Sequence, residues 1–231
     1  MDIPFLKQFT SGVSLEENLL HLSENVNEKI VFSTSFGMED QVISHAIFSQ
    51  NIKNIEVFTL DTGRLFPETY AVWDKTLLQY SAKIKSYYPN AEDAEAFVNH
   101  NGINAFYNSV ELRKQCCGIR KVVPLKRALQ GAAIWITGLR AEQSENRNAL
   151  NVLEWNENFQ LFKYNPLLHW TTQDVEKYLK QNAVPYNPLH EKGFVSIGCA
   201  PCTRAILPGE DFRSGRWWWE DNSKKECGLH Q

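Results

Sequence analysis

The strongest constraint on the fold is a repeated alternation between short β-rich runs and longer apolar-periodic stretches. The β-rich runs span residues 29–34, 55–60, 82–88 and 132–137. The segments between them are long enough for helices, and parallel strands need crossover connections of about a dozen residues or more. The sequence therefore predicts an α/β protein with a mainly parallel, doubly wound sheet.

Several helix starts are marked by side chains that satisfy the first backbone N–H groups. Ser14 and Glu17 have the spacing of a capping box, and Thr171 and Asp174 open another helix in a similar way. Pro67 is expected in the first turn of a third helix, where its missing N–H costs nothing. These signals predict where three of the helices begin.

The pattern changes in the last third of the chain. Residues 159–164 are predicted to form an edge strand, and residues 193–202 are predicted to be a loop because they include two glycines and a proline. Residues 209–231 are rich in arginine, tryptophan and charge, with little periodicity. We therefore divide the chain into an α/β domain, residues 1–208, and a C-terminal tail, residues 209–231.

Three loops follow the predicted strands, at residues 35–40, 61–64 and 138–144. In doubly wound sheets, ligands bind beyond the carboxyl ends of the strands, where helix N-termini present N–H groups to anions. The three loops therefore predict one ligand site built from separated segments. Each loop is weak evidence by itself, since the turn at residues 35–37 has the form of an ordinary strand-to-helix connection.

Charge and hydropathy exclude some functions. The formal net charge is −3, so the chain lacks the general basic surface that binds nucleic acids or acidic membranes. No apolar run of about 20 residues is present, and the first residues do not resemble a signal peptide. We expect a cytoplasmic protein in which cysteines stay reduced.

The chain has five cysteines. Cys116 and Cys117 are adjacent, Cys199 and Cys202 form a Cys-x-x-Cys pair, and Cys227 stands alone near the end. Reduced cysteines in two pairs point to a metal site or to redox chemistry. A thioredoxin-like dithiol at Cys199 and Cys202 is one alternative, but a second pair elsewhere favours four metal ligands.

The identity of the metal stays open at this point. Zinc accepts four cysteines, although adjacent side chains diverge and fit a compact tetrahedral ion poorly. A four-iron cluster asks each thiolate to bind a separate iron and tolerates an adjacent pair better. Four buried cysteines without a metal are the third alternative.

Cys227 lies in a polar terminus. Lys224, Lys225 and His230 are near it in sequence, and such neighbours lower the pKa of a thiol. From the local sequence, a catalytic nucleophile and an inert exposed thiol are equally good interpretations.

Five separated motifs resemble one family. They are Cys-Cys-Gly-Ile-Arg-Lys-Val, the later Cys-x-x-Cys, Ser-Phe-Gly-Met-Glu-Asp, Leu-Asp-Thr-Gly-Arg-Leu-Phe-Pro-Glu-Thr, and the terminal Glu-Cys-Gly-Leu-His. Together they resemble the assimilatory sulfonucleotide reductases, and most of all their iron–sulfur branch, the thioredoxin-dependent adenylylsulfate (APS) reductases. The resemblance runs from about residue 29 to residue 231. It implies an adenine nucleotide α-hydrolase-like fold with an irregular C-terminal segment that carries the nucleophile.

The resemblance also implies a reaction. The thiolate of Cys227 attacks the sulfur of APS, AMP leaves, and an S-sulfocysteine forms on the enzyme. Reduced thioredoxin then releases sulfite and restores the thiol. The same resemblance implies that residues 1–208 bind the nucleotide and the cluster, and that residues 209–231 are a catalytic tail.

Residue roles are carried over position by position. The implied ligands of a [4Fe-4S] cluster are Cys116, Cys117, Cys199 and Cys202. The implied catalytic residues are Cys227, His230 and Lys121. The implied substrate-binding residues are Ser35, Phe36, Gly37, Asp61, Thr62, Gly63, Arg140, Arg147, Arg213 and Arg216. Without the resemblance, Lys121 is equally a surface charge, and Arg213 and Arg216 are expected to stack on the neighbouring tryptophans.

Differences from related families restrict the choice of substrate and reaction. The first loop differs from the Ser-Gly-Gly-x-Asp-Ser of ATP pyrophosphatases, which argues against adenylation. The 3′-phosphoadenylylsulfate (PAPS) reductases keep the terminal motif but lack the cluster cysteines, so these cysteines favour APS. PAPS reduction and a non-catalytic zinc protein that binds a nucleotide remain alternatives. A homo-oligomer is compatible with the sequence, which does not determine the oligomeric state.

Overall fold

The structure is a computed structural model that describes residues 1–143 and 150–220. Within them the strands are β1 (Lys29–Thr34), β2 (Ile55–Leu60), β3 (Lys85–Tyr87), β4 (Ala132–Ile136), β5 (Leu153–Asn156) and β6 (Leu161–Tyr164). The α-helices are α1 (Ile3–Thr10), α2 (Leu15–Asn25), α3 (Met38–Ser49), α4 (Pro67–Tyr80), α5 (Ala91–Asn101), α6 (Val110–Cys117), α7 (Val123–Leu129) and α8 (Thr172–Gln181).

The chain divides into two compact units, each built from discontinuous segments. The first unit consists of Met1–Thr59, Glu68–Lys85 and Gly131–Asn187. The second consists of Leu60–Pro67, Ser86–Gln130 and Pro188–Gln231. The division into an α/β domain at residues 1–208 and a catalytic tail at residues 209–231 stays a prediction.

The six strands form one sheet in the order β3-β2-β1-β4-β6-β5. Strand β1 pairs in parallel with β2 and β4, and β4 pairs in parallel with β6. Strand β5 runs antiparallel to β6. The predicted α/β fold with a mainly parallel sheet is therefore confirmed.

Three predicted elements differ from the observed ones. The run at residues 82–88 contributes only the three residues of β3. Helix α3 begins at Met38, so Glu39 and Asp40 belong to its first turn and not to the preceding loop. Strand β6 is interior, since β5 is the edge strand beyond it, so the edge-strand prediction for residues 159–164 was wrong.

A buried lysine explains the error at β6. All four residues of this strand are buried, and a lysine in a strand ordinarily indicates an edge. The ammonium group of Lys163 lies 3.2 Å from a carboxylate oxygen of Glu154 and 5.8 Å from the ring centre of Trp135. Pairing with Glu154 allows the charge to lie inside the sheet.

The capping predictions are confirmed. The hydroxyl of Ser14 accepts a hydrogen bond from the backbone N–H of Glu17, and Thr171 and Asp174 form a reciprocal capping box. Helices α2, α3 and α8 then bury their apolar faces in the core of the first unit. Its members include Leu19, Leu22, Ile30, Phe32, Val42, Ile43, Ile47, Ile134, Val175 and Leu179.

The second unit has a smaller core made of aromatic rings and thiols. Phe106, Cys199, Cys202 and Trp217 are buried together, and Cys116 packs against them. Of the helices within the described residues, none combines the length and hydropathy needed to span a bilayer.

The buried pair in the sheet yields a stability prediction. Replacing Glu154 by Ala leaves the nearly inaccessible ammonium group of Lys163 without its carboxylate. We expect this change to lower the free energy of unfolding by about 2 kcal/mol or more, because an uncompensated buried charge is costly. Chemical denaturation monitored by circular dichroism measures the loss.

A matched substitution is Glu56→Ala. Glu56 pairs with Lys29 and Lys85 at 3.6 and 3.5 Å, but these side chains are about one third exposed or more. An exposed pair contributes roughly 0–1 kcal/mol. Equal losses for the two variants would contradict the importance of burial at Lys163.

Candidate functional site

The turn that follows β1 has a strained backbone. Phe36 has a φ of 61°, in the left-handed region that is unfavourable for a bulky residue. Its N–H donates to the hydroxyl oxygen of Thr34 at 3.1 Å, and its buried ring stacks on Trp73 with the ring centres 5.4 Å apart. The surroundings thus hold residues 35–37 in one conformation.

The turn leads into the N-terminus of α3, a helix of 12 residues. Its N-cap is Gly37, which has no side chain to occupy the first backbone N–H groups. Unoccupied N–H groups and the positive end of the helix dipole favour an anion. The structure therefore places the predicted residues Ser35, Phe36 and Gly37 directly before a helix N-terminus of the kind that favours anions, and their role in binding stays a prediction.

Asp40 closes this turn from the first turn of α3. One carboxylate oxygen accepts hydrogen bonds from the backbone N–H and the hydroxyl of Ser35, at 2.6 and 2.7 Å. Burial raises the pKa of Asp40 to about 6, against the opposing effect of the Ser35 hydrogen bonds. Asp40 was not among the predicted site residues, although its place directly after the Ser-Phe-Gly turn was visible in the sequence.

Arg140 lies in the loop after β4, and its side chain is only 2% exposed. Its Nε donates to Glu39 at 2.8 Å, and its Nη1 donates to Glu142 and to the carbonyl oxygen of Trp170. Its Nη2 donates to the hydroxyl oxygen of Thr172 at 3.1 Å. The guanidinium group is therefore surrounded by acceptors from the protein itself.

In the second unit, the loop that follows β2 is built around Asp61, Thr62 and Gly63. The carboxylate of Asp61 accepts from the N–H of Gly63 at 2.8 Å, and Gly63 has a φ of 70° that favours glycine. The hydroxyl of Thr62 lies 3.3 Å from the sulfur of Cys199, and the Thr62 carbonyl accepts from Arg120 at 2.7 Å. These contacts connect the second predicted nucleotide loop to the cysteine region.

All four predicted metal ligands line one recess. Cys116, Cys117, Cys199 and Cys202 are free thiols there. The other lining residues are Arg64, Phe106, Arg113, Arg120, Lys121 and Pro201. Two distant cysteine pairs and a set of cationic side chains therefore meet at one place.

Helix geometry positions Cys116 and Cys117, the first of the two cysteine pairs in this recess. Cys116 and Cys117 end α6, and the chain continues through a π-helical segment, Gly118–Val122, into α7. Arg113, the two cysteines, Arg120 and Lys121 follow at i, i+3, i+4, i+7 and i+8, which is the spacing of one helix face. This spacing could have identified Arg113 and Arg120 as site residues from the sequence.

A tight turn positions the second cysteine pair of the recess. Cys199 and Cys202 flank a 3-10 turn, in which the N–H of Cys202 donates to the carbonyl of Cys199 at 2.9 Å. Burial raises the pKa of Cys202 to about 12, and the neighbouring Cys199 acts in the same direction while Lys121 and Arg216 oppose it. Burial likewise raises the pKa of Cys116, against the nearby guanidinium of Arg120.

The donor set fits an iron–sulfur cluster. Four thiols and no carboxylate or imidazole line the recess, and thiolates are the usual ligands of such clusters. The four lining cations would offset the negative charge of a thiolate-ligated cluster. Within residues 1–143 and 150–220, no three His, Cys, Asp or Glu side chains are close enough to share one metal ion.

Arg213 and Arg216 both lie beside Trp217, with guanidinium carbons 5.9 and 4.8 Å from its ring centre. The expectation that they stack on a tryptophan is met. A side chain at Gly198 would overlap the guanidinium of Arg216, so this glycine makes room for it next to Cys199. Three predicted residues, Arg147, Cys227 and His230, lie outside the described residues.

Sequence inspection also missed a buried ion pair at the end of the described chain. The Nε and Nη2 of Arg113 donate to the two carboxylate oxygens of Glu220 at 2.9 and 2.7 Å, and both side chains are nearly inaccessible. The same guanidinium lies 4.6 Å from the ring centre of Trp217. Arg113 thereby fixes Trp217 and Glu220, which lie in the first half of the predicted tail.

Comparison with known proteins gives matches over most of the chain. Residues 29–205 match the family model described as phosphoadenosine phosphosulfate reductase domain. A Rhizobium meliloti (strain 1021) protein named adenosine 5'-phosphosulfate reductase is 51% identical over 211 residues, covering 91% of this chain and 79% of the relative. An Agrobacterium fabrum protein of the same name is 48% identical and covers 99% of this chain and 87% of the relative.

A solved structure supports the fold. The phosphoadenylyl-sulfate (PAPS) reductase from Candida auris, in its phosphate complex, superimposes with a TM-score of 0.73 at 27% identity, covering 89% of this chain and 98% of that one. The fold is thus of the predicted adenine nucleotide α-hydrolase-like class. Within that class, the chain belongs to the family of sulfonucleotide reductases.

The raised pKa of Asp40 leads to a pH prediction. Its folded-state pKa of about 6 exceeds the value of 3.8 in the unfolded chain, so folding favours the protonated carboxyl. This contribution is complete below the unfolded pKa and is lost as the pH rises through the folded one. From pH 5 to pH 7, wild-type unfolding free energy should fall by about 1.4 kcal/mol relative to Asp40→Asn.

Denaturation of both proteins across this pH range tests the prediction. Asp74→Asn, which changes an exposed carboxylate, is the matched control and should follow the wild type at every pH. If the difference between wild type and Asp40→Asn stays constant with pH, Asp40 does not titrate as described.

Proposed function

We propose that this chain reduces adenylylsulfate to sulfite and AMP, with Cys227 as the nucleophile and reduced thioredoxin as the electron donor. The observation that carries the proposal is the recess where four cysteine thiols meet Lys121 and three arginines. Relatives of about 50% identity named adenosine 5'-phosphosulfate reductase support APS as the substrate.

The first step is a nucleophilic displacement at sulfur. The thiolate of Cys227 attacks the sulfate sulfur of APS, forming an S–S bond, and the bond from sulfur to the bridging oxygen breaks. AMP leaves with the electron pair of that bond. The product on the enzyme is an S-sulfocysteine at residue 227.

The second step returns the enzyme to its thiol form. A thiolate of reduced thioredoxin attacks the Cys227 sulfur and expels sulfite, leaving a mixed disulfide. The second thioredoxin thiol resolves this disulfide, so thioredoxin is oxidised by two electrons and Cys227 is reduced. His230, three residues from Cys227, is proposed to assist proton movement at the thiol.

Anion binding is divided among the predicted substrate residues. The turn at Ser35, Phe36 and Gly37 would place the AMP phosphate at the N-terminus of α3, and the loop at Asp61, Thr62 and Gly63 would contact the nucleoside. Lys121, Arg147, Arg213 and Arg216 are proposed to stabilise charge that develops on the sulfate and the leaving phosphate.

The four recess cysteines are proposed to hold a [4Fe-4S] cluster. When bound, the cluster would supply a fixed group of charges and a cross-link between the two cysteine pairs. Lys121 lines the same recess and would bring a positive charge between the cysteines and the substrate sulfate. The chemistry of Cys227 is thiol exchange and needs no electron relay.

We also propose a cytoplasmic enzyme whose partners are thioredoxin and the small molecules of the reaction. Neither a membrane nor a nucleic acid is among them, in keeping with the net charge of −3. A homo-oligomer is compatible with this function.

Metal analysis distinguishes the enzyme from a zinc protein that binds a nucleotide. Anaerobically purified protein should be brown, absorb broadly near ~400 nm and contain about four irons per chain. A colourless protein with about one zinc per chain would favour the Cys₄ zinc alternative. Cys116→Ser should lose the absorbance, whereas Cys227→Ser should keep it.

Activity tests the nucleophile. Cys227→Ser should abolish sulfite production from APS and thioredoxin, because a hydroxyl is far less nucleophilic than a thiolate. Ser223→Ala, a small change in the same segment, is the control and should remain active. Sulfite formation by Cys227→Ser at the wild-type rate would refute the proposed nucleophile.

Mass spectrometry and substrate comparison complete the test. Wild-type protein incubated with APS and no thioredoxin should carry one added sulfonate group on Cys227. The ratio of kcat/KM for APS over PAPS should be at least about tenfold in favour of APS, because the four cysteines and the relatives named adenosine 5'-phosphosulfate reductase favour that substrate. A preference for PAPS would support the alternative substrate.

A further inference from the structure

The first turn of α3 contains two adjacent carboxylates at the end of the helix that is suited to anions. Glu39 and Asp40 both lie there, directly after the turn at residues 35–37. A Cβ atom on Gly37 would lie 3.9 Å from Oε2 of Glu39, so this carboxylate adjoins the backbone of the turn. An uncompensated negative charge at this position would repel a bound phosphate.

Each carboxylate is engaged by a different loop. Asp40 accepts two hydrogen bonds from Ser35. One oxygen of Glu39 accepts from Nε of Arg140 and from the side-chain amide of Gln143, both at 2.8 Å. The first turn of α3 therefore holds the loop after β1 with one side chain and the loop after β4 with the other.

The backbone of the second loop also lies against α3. A side chain at Gly138 would overlap a carboxylate oxygen of Asp40 and would lie 3.1 Å from Cβ of Glu39. Glycine is thus required at this close approach. Further along the loop, the N–H of Ala141 donates to the carbonyl of Leu168 at 2.9 Å.

Arg140 has little donor capacity left for a ligand. A guanidinium group has five N–H donors, and those of Arg140 reach Glu39, Glu142, Thr172 and the carbonyl of Trp170. Thr172 and Arg140 together hold the pKa of Glu142 below its ordinary range, which keeps this partner ionised. Two carboxylates and two neutral oxygens therefore surround a single buried cation.

We infer that Arg140 is a positioning residue and not an anion ligand: it neutralises Glu39 beside the turn at residues 35–37 and fixes the loop after β4 against α3. The inference rests on the proposed function, because it takes the phosphate of AMP or APS to bind at that turn. On this inference, the positive charge of Arg140 compensates carboxylates of the protein and does not bind the substrate.

A phosphate ligand and a positioning residue at position 140 predict different combined effects for substitutions at Arg140 and Glu39. If Arg140 touched the phosphate, removing it would weaken AMP binding by the same factor whether or not Glu39 were charged. If Arg140 serves to neutralise Glu39, most of the loss disappears once the carboxylate is also removed. A double-mutant cycle separates these cases.

The experiment is isothermal titration of AMP into the full-length, cluster-loaded protein under anaerobic conditions. The four proteins are wild type, Arg140→Met, Glu39→Gln and the double variant. Arg140→Met should weaken AMP binding about tenfold or more, because it leaves a partly buried carboxylate uncompensated near the phosphate. The double variant should bind AMP within about threefold of Glu39→Gln alone.

Two further variants control for loss of folding. Glu142→Gln removes the more exposed partner of the same guanidinium, whose side chain is 53% exposed, and should leave AMP affinity within about twofold of wild type. Gln143→Leu removes the neutral donor to Glu39 while Arg140 remains, and should weaken AMP binding by about threefold through a looser loop. Thermal melting of each variant reports folding separately.

A double variant that binds AMP no better than Arg140→Met overturns the inference, as does Gln143→Leu with wild-type affinity. A wild-type protein that binds neither AMP nor APS would overturn the proposed function and this inference with it. Binding by the wild type without rescue in the double variant leaves the proposed function standing and makes Arg140 a ligand.

Discussion

Pairing of buried charge is the interaction on which both functional regions depend. In the first unit, Arg140 lies between Glu39 and Glu142, and in the second, Arg113 makes a two-pronged contact with Glu220. Removing such charges from water costs several kcal/mol, which the ion pair repays only when its geometry is close to ideal. The pairs therefore contribute more to a single arrangement of the loops than to net stability.

The turn at residues 35–37 keeps a strained backbone because its neighbours hold it in place. A left-handed phenylalanine costs about 1–3 kcal/mol and survives only where its surroundings determine the conformation. Around Phe36 the constraints come from separate elements: the Thr34 hydroxyl from β1, the Asp40 carboxylate from α3 and the Trp73 ring from α4. The result is a fixed turn that leads into the N-terminus of α3, where the N-cap Gly37 provides no side-chain acceptor.

In the second unit, two cysteine pairs that are distant in sequence lie close together. Its core is small and contains Phe106, Trp217 and the thiols themselves. A core of this size buries little apolar surface. Glu220 compensates the charge of Arg113, but Arg64, Arg120 and Lys121 line the same recess, and further negative charge there would reduce their mutual repulsion. Thiolate ligands and a bound cluster would supply that charge, so the folding of this unit and the loading of its metal site are expected to be coupled.

The sequence predicted those features that depend on local patterns. The strands β1, β2 and β4 follow from β-rich runs, and the starts of α2 and α8 follow from caps. The interior position of β6 could not be predicted, because it depends on Glu154 of a neighbouring strand neutralising Lys163. The helix face shared by Arg113 and the adjacent cysteines was visible as a spacing, but its partner Glu220 is 107 residues away.

The arginines show most clearly that residue type alone does not identify an anion ligand. In an acidic chain that binds an anion, each arginine near a predicted loop is a candidate ligand, and Arg140 has the right place in the sequence. The structure pairs Arg140 with two carboxylates, and it pairs Arg113 with the carboxylate of Glu220. A cation in the sequence becomes an anion ligand only if the fold leaves its charge uncompensated, and that depends on acidic residues which are distant in sequence. The proposed anion site therefore depends as much on the placement of Glu39 and Glu220 as on the arginines and lysines of the chain.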